Sequence, residues 1–512
     1  MKIAVVSMEM LIPEFSEPFR GANFRGGLGI LTGEIMEGLA KNNIEAVAIV
    51  PFYQFHWLTK EKIAYSNSSA KSVFKLQSRI SEKDHNLEIF KIDRAGLPVF
   101  GLLCPEVFDT LYTLNRGRRY EQEILIGKIV SLLLKSINFK PDIIWLQEGH
   151  TVTAIPSIKD DGYFSGAKFL FTTHTSVPEG MEKYPGDWFD RMEIDRDKYA
   201  PIFLRNGTID FTRAAVILAD KVNAVSQEHA EIVRTMFPEF SQKIIGIRNG
   251  ASQELWLSQN IKILGDNPNP LELWQAHLKD KKEFIELVEK KSGIRFDFQK
   301  PILGWVRRVA RYKNQYPMLK PIIKAICAER GEMVETDFGH LEGLGMQAFF
   351  AGRASEDDFE CLNWIADFRQ IMQEQPIKGK FVFLDDYSYG LLNNSACGLD
   401  IWLSTPWPKY EACGTSDQRA AINGNINLVS RTGGPMEYIT EGENGFFIEP
   451  YEPRVVYEKL KTISELYYAW FERGDERWLN LRKNSFESGK KSDIVRMIEN
   501  YKKLLFEPML LR

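Results

Sequence analysis

Several features that would identify the class of this 512-residue protein are scarce or missing. The five cysteines are scattered, odd in number and form no CxxC pair, which predicts neither a disulfide framework nor a metal site such as zinc. The formal net charge is only -4, whereas proteins that bind nucleic acid usually present a strongly basic face. We therefore expect a reducing, cytoplasmic location, no bound metal and no nucleic acid as partner.

Long apolar runs are also missing, since no stretch approaches the roughly 18 residues that a membrane span requires. The N-terminal MKIAVVSMEM lacks the basic start and long apolar core of a signal peptide, and we interpret it as a strand. No Walker A loop, HExxH sequence or Ser-His-Asp order is present. These absences argue against a P-loop nucleotidase, a zinc protease and a serine hydrolase.

The sequence does contain a regular alternation of short apolar strands and helical stretches. Continuous apolar strands separated by helices indicate parallel sheets covered on both faces. We therefore predict an α/β fold with two doubly wound, Rossmann-like domains that face a central cleft. The predicted strands are 3–7, 46–51, 143–146, 169–173, 222–225, 244–247, 302–306, 348–351, 381–384, 401–404, 426–430 and 446–448.

The boundary between the two domains is expected near the turn-rich segment ILGDNPNP and the charged helix after it. We place the N-terminal domain at 1–255 and the C-terminal domain at 256–489. The last segment, 490–512, is amphipathic and helical, and we expect it to pack back on the first domain. Ligands of doubly wound sheets bind at the carboxyl ends of strands, so candidate site residues should follow strands.

Three places in the first domain carry such candidates. Gly27 and Gly29 lie in a glycine-rich turn before a helix, where free backbone amides favour an anion. Glu148 and His150 follow a strand in IIWLQEGH, and His174 follows the next strand in FLFTTH. For one histidine alone, a hydrogen-bonded strand end is the simpler interpretation. Two histidines at equivalent strand ends favour a site.

Two glycine or cation clusters follow strands of the second domain. Arg308 and Lys313 belong to the run RRVARYK, whose crowded cations indicate a phosphate or pyrophosphate ligand, although a solvated surface explains them too. Thr432, Gly433 and Gly434 form a glycine turn after a strand, with a predicted helix start at the following proline. A strand, a glycine turn and a helix start together are typical of an anion site.

The segment WLSTPWPKYEACGTSDQR provides the remaining candidates of the second domain. Glu411 could accept hydrogen bonds from sugar hydroxyls. Gly414, Thr415 and Ser416 are predicted to open a helix, and Thr415 with Gln418 has the spacing of a capping box. The free amides of that first turn would hold sugar hydroxyls or a phosphate.

Taken together, these motifs resemble the α-glucan (glycogen and starch) phosphorylases over most of the chain. The similarity lies, in order, in QEGH, FTTHTSVPEG, VNAVS, RRVARYK, FAGRA, DIWLSTP and EACGTS followed by RAAING. The GGLG and RTGG stretches and GFFIEP are more similar to the glycogen and starch synthases and other transferases that use nucleotide sugars. Both resemblances imply the two-lobed GT-B architecture, retention at the anomeric carbon and no metal in the chemistry.

The resemblance also implies roles for single residues. His174 is expected to contact the donor sugar, and Glu411 to hold it. Arg308 and Lys313 correspond to the basic pair that stabilises the donor or leaving phosphate, so these four residues are the predicted catalytic set. The acceptor side is assigned to Glu148 and His150, and donor binding to Gly27, Gly29, Gly414, Thr415, Ser416, Arg419, Thr432, Gly433 and Gly434.

Arg419 is the departure that decides between the two families. In the phosphorylases this position is a lysine that forms a Schiff base with pyridoxal phosphate, and a protonated guanidinium does not form that imine. We therefore expect no pyridoxal phosphate. An arginine pairs well with phosphate, so Arg419 is predicted to bind the phosphate of the donor directly.

The function predicted from the sequence is that of a retaining glycosyltransferase. It would transfer a hexose from a UDP-, ADP- or GDP-sugar to a hydroxyl of a carbohydrate or another acceptor. Two alternatives stay open, namely a phosphorylase that uses inorganic phosphate without pyridoxal phosphate, and a non-catalytic sugar-binding relative. The sequence leaves the nucleotide, the acceptor and the formation of a homo-oligomer undecided.

Overall fold

The computed structural model describes residues 1–80, 82–177 and 180–511, which fold into two compact units. Unit 1 consists of Met1–Gly250 and Ile494–Arg512, and unit 2 consists of Ala251–Asp493. The boundary predicted after residue 255 lies five residues beyond Gly250, and the returning segment predicted from residue 490 begins at Ile494. Positions 178 and 179, the PE of FTTHTSVPEG, lie outside the described residues.

The strands confirm all twelve that the sequence predicts, each to within one residue at either end. Those of unit 1 are β1 (Lys2–Val6), β2 (Glu45–Phe52), β3 (Lys71–Ile80), β4 (Lys83–Arg94), β5 (Leu97–Leu103), β6 (Ile143–Gln147), β7 (Lys168–Thr173), β8 (Lys183–Pro185), β9 (Leu204–Arg205), β10 (Thr208–Asp210), β11 (Lys221–Ala224) and β12 (Ile244–Gly246). Those of unit 2 are β13 (Ile302–Val306), β14 (Met333–Thr336), β15 (Gly339–Glu342), β16 (Gln347–Ala351), β17 (Phe381–Leu384), β18 (Ile401–Ser404), β19 (Ile426–Ser430) and β20 (Gly445–Ile448).

Helices connect these strands in both units. The α-helices before unit 2 are α1 (Phe19–Ala22), α2 (Gly27–Lys41), α3 (Arg116–Ser136), α4 (Ala154–Lys159), α5 (Arg196–Phe203), α6 (Phe211–Leu218) and α7 (Gln227–Met236). Those of unit 2 are α8 (Gln253–Trp256), α9 (Gln259–Lys262), α10 (Pro270–Ser292), α11 (Gln315–Leu319), α12 (Ile323–Cys327), α13 (Phe359–Ile371), α14 (Tyr389–Gly398), α15 (Ser416–Ala421), α16 (Pro453–Arg473) and α17 (Arg477–Lys490). The chain returns to unit 1 with α18 (Ile494–Tyr501), a π turn (Lys502–Phe506) and α19 (Glu507–Leu510). Over 1–80, 82–177 and 180–511, every helix is too short or too polar to cross a bilayer.

The main sheet of unit 1 has nine strands in the order β12-β11-β7-β6-β1-β2-β5-β4-β3. In this order the strands from β12 to β5 run parallel, as expected for a doubly wound sheet, although β5 itself was not predicted. The order reverses between β1 and β6. Strands β3 and β4 at the other edge were not predicted either. They pair antiparallel with each other, and β4 pairs antiparallel with β5. That edge projects half of its side chains into solvent, so its alternating sequence differs from the continuous apolar runs used to find the other strands.

Unit 1 has hydrophobic cores on both faces of this sheet, since successive residues of β1 point to opposite sides. Ala4 and Val6 belong to the core beneath α3, whereas Ile3 and Val5 belong to the core that α2 and the C-terminal helices cover. Tyr501 of α18 packs on Trp145 of β6, with ring centroids 4.6 Å apart. The C-terminal segment is therefore an integral layer of unit 1.

Unit 2 contains a fully parallel six-stranded sheet in the order β17-β16-β13-β18-β19-β20. Numbered within the sheet this is the 3-2-1-4-5-6 order of doubly wound dinucleotide-binding folds. The order reverses between β13 and β18, so the loops that follow these two strands diverge to opposite faces. Such a switch point leaves a crevice at the carboxyl ends of the strands, where ligands of these folds bind.

A buried ionic cluster fixes α10 against this sheet. Asp400, just before β18, accepts hydrogen bonds from the Ile302 amide and His277 Nε2 and pairs with Lys281 Nζ at 2.8 Å. Burial raises the pKa of Asp400, but Lys281 and His277 lower it by a larger amount, so the net shift is downward. The carboxylate therefore stays ionised and connects the first residues of β13 and β18 to α10.

Candidate functional site

Glu411, in the loop after β18, lies in unit 2 beside residues that follow β13. Its Oε2 accepts a hydrogen bond from Lys313 Nζ at 2.6 Å and pairs with Arg307 Nη2 at 2.9 Å. Arg307 also donates to the hydroxyl of Ser404, the last residue of β18. We call Arg307, Lys313, Ser404, Glu411 and Gly414 the Glu411 site. It occupies the switch point between β13 and β18, where the topology predicts a ligand.

The charges of the Glu411 site are almost fully buried. The side chains of Arg307, Lys313 and Glu411 are 5%, 7% and 15% exposed. Burial raises the pKa of Glu411, but Arg307, Lys313 and Arg308 lower it more, and the result is about 2. The site therefore holds one carboxylate among three nearby cations and attracts a further anion.

The two residues of the predicted basic pair lie differently relative to Glu411. Lys313 contacts Glu411, while Arg308 is exposed and influences Glu411 through its charge. The arginine that pairs with Glu411 is Arg307, which sequence reasoning counted in the cation cluster but did not select. A signal was available, because Arg307 directly follows β13 and is the first polar residue at the switch point.

Two glycines allow the loops of this site to approach closely. A side chain at Gly414 would come within 2.8 Å of Arg307 Nη2 and 3.3 Å of Glu411 Oε1. Gly433 has a φ of +62°, and a Cβ there would lie 2.5 Å from the Glu411 carbonyl oxygen and 2.8 Å from that of Ala412. The predicted TGG turn therefore packs on the backbone that carries Glu411. Lys409 adds a second link, because its amide donates to Thr432 Oγ1 at 2.7 Å.

The two predicted helix starts of this site, after Gly433 and at Thr415, differ from the prediction in length and in capping. The residues after Gly433 form one 3-10 turn (Gly434–Glu437) and not an α-helix, so they lack the aligned amides of a longer helix. The predicted capping box of Thr415 and Gln418 is wrong, since Thr415 caps α15 without a side-chain hydrogen bond to its amides. Its hydroxyl instead accepts from Arg419 Nη2 at 2.9 Å.

Arg419 is turned into the interior of unit 2. Its Nε donates to the Thr415 carbonyl at 3.1 Å, and its guanidinium lies 4.6 Å from the ring centroid of Trp256. The residue is only 5% exposed. These contacts connect α15 to α8, and they give Arg419 a packing position whatever its role toward a donor. Next to it, the buried Ser416 hydroxyl has no hydrogen-bond partner within the described part of the chain.

In unit 1, the residues that end β6 and β7 meet as the sequence predicts. Glu148 Oε1 accepts from the His174 amide and from Thr175 Oγ1, the latter at 3.0 Å, and its Oε2 accepts from the Gly149 amide. Glu148 has a φ of +64°, an uncommon conformation that these bonds stabilise. His174 Nε2 lies 3.0 Å from Gln147 Oε1, and burial lowers the pKa of His174 to about 4. His174 is therefore neutral near pH 7.

His150 belongs to a different cluster of unit 1, together with Glu123 of α3. Its Nδ1 lies 3.2 Å from Glu123 Oε1, and Tyr184 donates to the other oxygen of that carboxylate at 2.9 Å. Burial lowers the pKa of His150, but Glu123 raises it more, so the net shift is upward. The pKa values of the two histidines of the predicted site are thus shifted in opposite directions, downward for His174 and upward for His150.

Glu9, after β1, is a buried carboxylate beside the predicted donor glycines that the sequence analysis did not select. Its Oε2 accepts from the amides of Arg25 and Gly26 at 2.7 and 3.2 Å, and Tyr112 donates to Oε1 at 2.8 Å. A side chain at Gly29 would come within 2.8 Å of Oε2, so this glycine makes room for the carboxylate. A carboxylate of the protein therefore lies at the α2 start, where the glycines Gly27 and Gly29 predict an anion of the donor.

Comparison with known proteins adds family relations to this geometry. Residues 2–246 match the model of the starch synthase catalytic domain. Maltodextrin phosphorylase of Thermococcus litoralis is 24% identical over 93% of this chain and 68% of its own length. Glycogen synthase of Photobacterium profundum is 21% identical over 86% of this chain and 85% of its own. The chain spans about two thirds of the length of the phosphorylases that it matches.

A solved structure confirms the predicted fold class. The catalytic domain of starch synthase IV from Arabidopsis thaliana, bound to ADP and acarbose, superposes with a TM-score of 0.76. The superposition covers 100% of this chain and 99% of that one at 17% identity. The likeness extends to both units, and it establishes the GT-B class that the sequence motifs predict.

Proposed function

We propose that this chain, which is similar to the glycogen and starch synthases and to the α-glucan phosphorylases, is a GT-B glycosyltransferase that transfers a hexose from a nucleotide sugar with retention. The observation that carries the proposal is the Glu411 site. A buried carboxylate and two buried cations stand at the switch point of a dinucleotide-binding sheet. A nucleoside diphosphate carrying a sugar has the matching groups, an anion for the cations and hydroxyls for the carboxylate.

The cations of the site suit a leaving diphosphate. As the bond between the sugar and the diphosphate breaks, negative charge grows on the leaving oxygen, and Lys313 with Arg308 would stabilise that charge. Glu411 stays ionised, so it accepts hydrogen bonds from sugar hydroxyls and keeps Arg307 and Lys313 in place. The leaving diphosphate would take the proton of the acceptor hydroxyl on the same face of the sugar, which gives retention.

We propose that this reaction needs no pyridoxal phosphate. The residue at the position of the cofactor lysine is Arg419, whose guanidinium is held by Thr415 and lies over Trp256. An arginine does not form the imine, and this one is held by contacts within unit 2. The residues present therefore do not fit the cofactor.

The acceptor would be a hydroxyl of a glucan or of another carbohydrate. Starch synthase IV was solved with acarbose, an oligosaccharide analogue, and this supports a carbohydrate acceptor for the present chain. The Glu148–His174 contact and the His150–Glu123 pair offer both hydrogen-bond acceptors and donors in unit 1. UDP, ADP and GDP remain the candidate nucleotides.

The test is a screen for nucleoside diphosphate released from UDP-, ADP- and GDP-glucose and the corresponding mannose and galactose donors, with and without maltooligosaccharides. We expect release that depends on the acceptor with one nucleotide strongly preferred. Lys313→Gln should lower kcat by about 100-fold or more, since removal of one group that stabilises developing charge has effects of this size. Lys459→Gln, which removes an exposed lysine of unit 2, is the matched control. Equal release by wild type and Lys313→Gln would count against the assigned role.

A phosphorylase without pyridoxal phosphate is the second candidate, favoured by the match to maltodextrin phosphorylase over 93% of the chain. In this reaction inorganic phosphate would bind to the cations of the Glu411 site and attack the anomeric carbon of the terminal glucosyl unit. The bond from that carbon to the rest of the oligosaccharide would break, and the shortened oligosaccharide would take the proton. Release of a sugar 1-phosphate from maltooligosaccharide and phosphate would support it. Absence of that product in the presence of nucleotide-sugar turnover would exclude it as the main activity.

A further inference from the structure

The turn after β5 in unit 1 brings together three side chains that the sequence separates. His85 lies on β4, and Cys104 and Glu106 follow β5 directly, where the antiparallel pairing of β4 and β5 ends at Glu88 and Leu103. A ring nitrogen of His85, Cys104 Sγ and a Glu106 oxygen all lie within 4.8 Å of one another. The strand register, and not any sequence spacing, produces this cluster.

The donor atoms of the cluster are those that zinc prefers. Nitrogen of histidine, sulfur of cysteine and oxygen of a carboxylate are all common zinc ligands, and calcium or magnesium would prefer oxygen alone. His85 and Cys104 are 4% and 0% exposed, whereas the Glu106 side chain is 47% exposed. Two ligands are thus held by the interior, and the third faces solvent and leaves a path for an ion.

From this arrangement we propose that His85, Cys104 and Glu106 bind a divalent transition-metal ion of the zinc type, with water as the fourth ligand. Bond lengths of about 2.0–2.3 Å and tetrahedral angles place neighbouring donor atoms about 3.3–3.6 Å apart. His85 Nδ1 and Glu106 Oε1 now lie 2.6 Å apart and share a hydrogen bond. The ion would lie between these two atoms in place of the hydrogen bond, and the Glu106 side chain, which is 47% exposed, would move outward to make room.

The backbone around the cluster is already ordered without an ion. The Cys104 carbonyl accepts from the amides of Val107 and Phe108 at 2.9 and 2.7 Å, so the turn that carries two ligands is fixed. His85 is fixed by its pairing with Ser78 of β3. Binding therefore requires little reorganisation. It releases the thiol proton of Cys104 to solvent, and His85 binds as a neutral imidazole whose remaining proton is on Nε2.

An ion at this place would fix the segment that leads to Tyr112. The chain runs from Cys104 through the turn at Phe108 to Tyr112, whose hydroxyl donates to Glu9. The ion takes no part in sugar transfer in this proposal, and its role is to hold the start of that segment. The inference is independent of the donor or acceptor of the enzyme.

The test is metal binding to the full-length protein after removal of metals with a chelator. Cobalt(II) is titrated in first, because a cysteine ligand gives a thiolate-to-cobalt absorption band in the near ultraviolet. Zinc then competes for the same site. We expect one equivalent of each, loss of the cobalt band on zinc addition and a rise in melting temperature with zinc.

Variants separate this site from adventitious binding. Cys104→Ser and His85→Gln should weaken binding by at least about 100-fold, because even partners outside the ligand shell affect affinity by 10- to 100-fold. In Glu106→Gln the side-chain oxygen can still accept a hydrogen bond from His85, so the metal-free melting temperature should stay close to that of the wild type while the metal affinity falls. Cys327→Ala, a buried cysteine, and His340→Gln, an exposed histidine, should bind as the wild type does. No thiolate band at saturating cobalt, or equal affinity of wild type and Glu106→Gln, would overturn the proposal.

Discussion

Glu411 keeps its charge in surroundings that would favour the neutral acid if the two cations were absent. Burial alone raises its pKa, and the pairing with Arg307 and Lys313 reverses the sign of the shift. Each partner therefore depends on the others. The removal of one charge leaves the remaining two in a largely dry environment without compensation.

Substitution Glu411→Gln should therefore reduce both activity and stability. We expect a loss of about 3 kcal/mol in the free energy of unfolding, as for other buried pairs that lose one partner. Turnover should fall by about 100-fold or more, because the cations lose their orientation. Glu487→Gln removes an exposed partner of Lys483 and should cost less than about 1 kcal/mol. Urea unfolding and initial rates measure the two effects.

The same residue predicts a pH dependence. The folded-state pKa of Glu411 is about 2 against an ordinary value of 4.5, so its contribution to stability is present above pH 4.5. That contribution is lost as the pH falls from 4.5 toward 2. Stability of the wild type should drop more steeply across this interval than that of Glu411→Gln. Parallel curves for the two proteins would show that Glu411 is not held by the cations in solution.

A substitution at Arg419 distinguishes a role in packing on Trp256 from a role in binding the donor. Arg419→Met keeps much of the volume over Trp256 but removes the donors to Thr415, which should cost about 1–3 kcal/mol of stability. KM for the donor should stay unchanged. Arg477→Met, at an exposed arginine, is the control and should change neither quantity. A large rise in KM with unchanged stability would instead support the donor-binding role that the sequence predicts.

At the scale of elements, Gly433 holds two loops together, because the loop after β19 packs at this residue on the loop after β18 that carries Glu411. Gly433 and Gly442 share a positive φ, at +62° and +76°, and both would be strained by a side chain. Only Gly433 also lies against another segment, the backbone of Glu411 and Ala412. The comparison of the two glycines isolates the effect of that contact.

Gly433→Ala should be clearly more harmful than Gly442→Ala. Both substitutions carry a backbone cost of about 1–3 kcal/mol, and Gly433→Ala must in addition displace the segment that carries Glu411. We expect turnover to fall strongly in Gly433→Ala and to stay near the wild-type value in Gly442→Ala. Equal loss of turnover in both variants would mean that the contact with Glu411 has no part in activity.

The elements also show what the sequence could and could not predict. Strands buried on both faces, such as β13 and β18, were found from their apolar runs, and the residues after them supplied Lys313 and Glu411. Strands β3 and β4 were missed, because they alternate and lie at a half-exposed edge. The hydrogen bonds of Glu9 and the cluster of His85 depend on strand register, which a single sequence does not reveal.

At the scale of the whole molecule, the two ends of the chain meet in unit 1. Ile498 of α18 is fully buried against α2, where a side chain at Gly38 would lie 2.6 Å from its Cγ1. The C-terminal helices therefore contribute to the stability of the sheet that begins with β1. Unit 2, which lies between these parts in the sequence, has a separate core.

Ile498→Ala should consequently destabilise unit 1 by about 2–5 kcal/mol, the usual cost of a large cavity. Hydrogen exchange should show faster opening of β1 and β6 and unchanged protection of β13 and β18. Leu504→Ala, at a 43% exposed leucine of the same segment, should have little effect. Equal acceleration of exchange in both units would show that they unfold as one cooperative body.

The central claim is the use of a nucleotide sugar and not of free phosphate. One reaction tests it most directly, in which the enzyme receives the preferred nucleotide sugar, inorganic phosphate and a maltooligosaccharide together. The phosphates are followed by ³¹P NMR and the oligosaccharide by mass spectrometry. We predict that nucleoside diphosphate appears, that the oligosaccharide grows by one hexose, and that Glu411→Gln abolishes both changes. Accumulation of a sugar 1-phosphate at the expense of inorganic phosphate, with the nucleotide sugar intact, would contradict the claim.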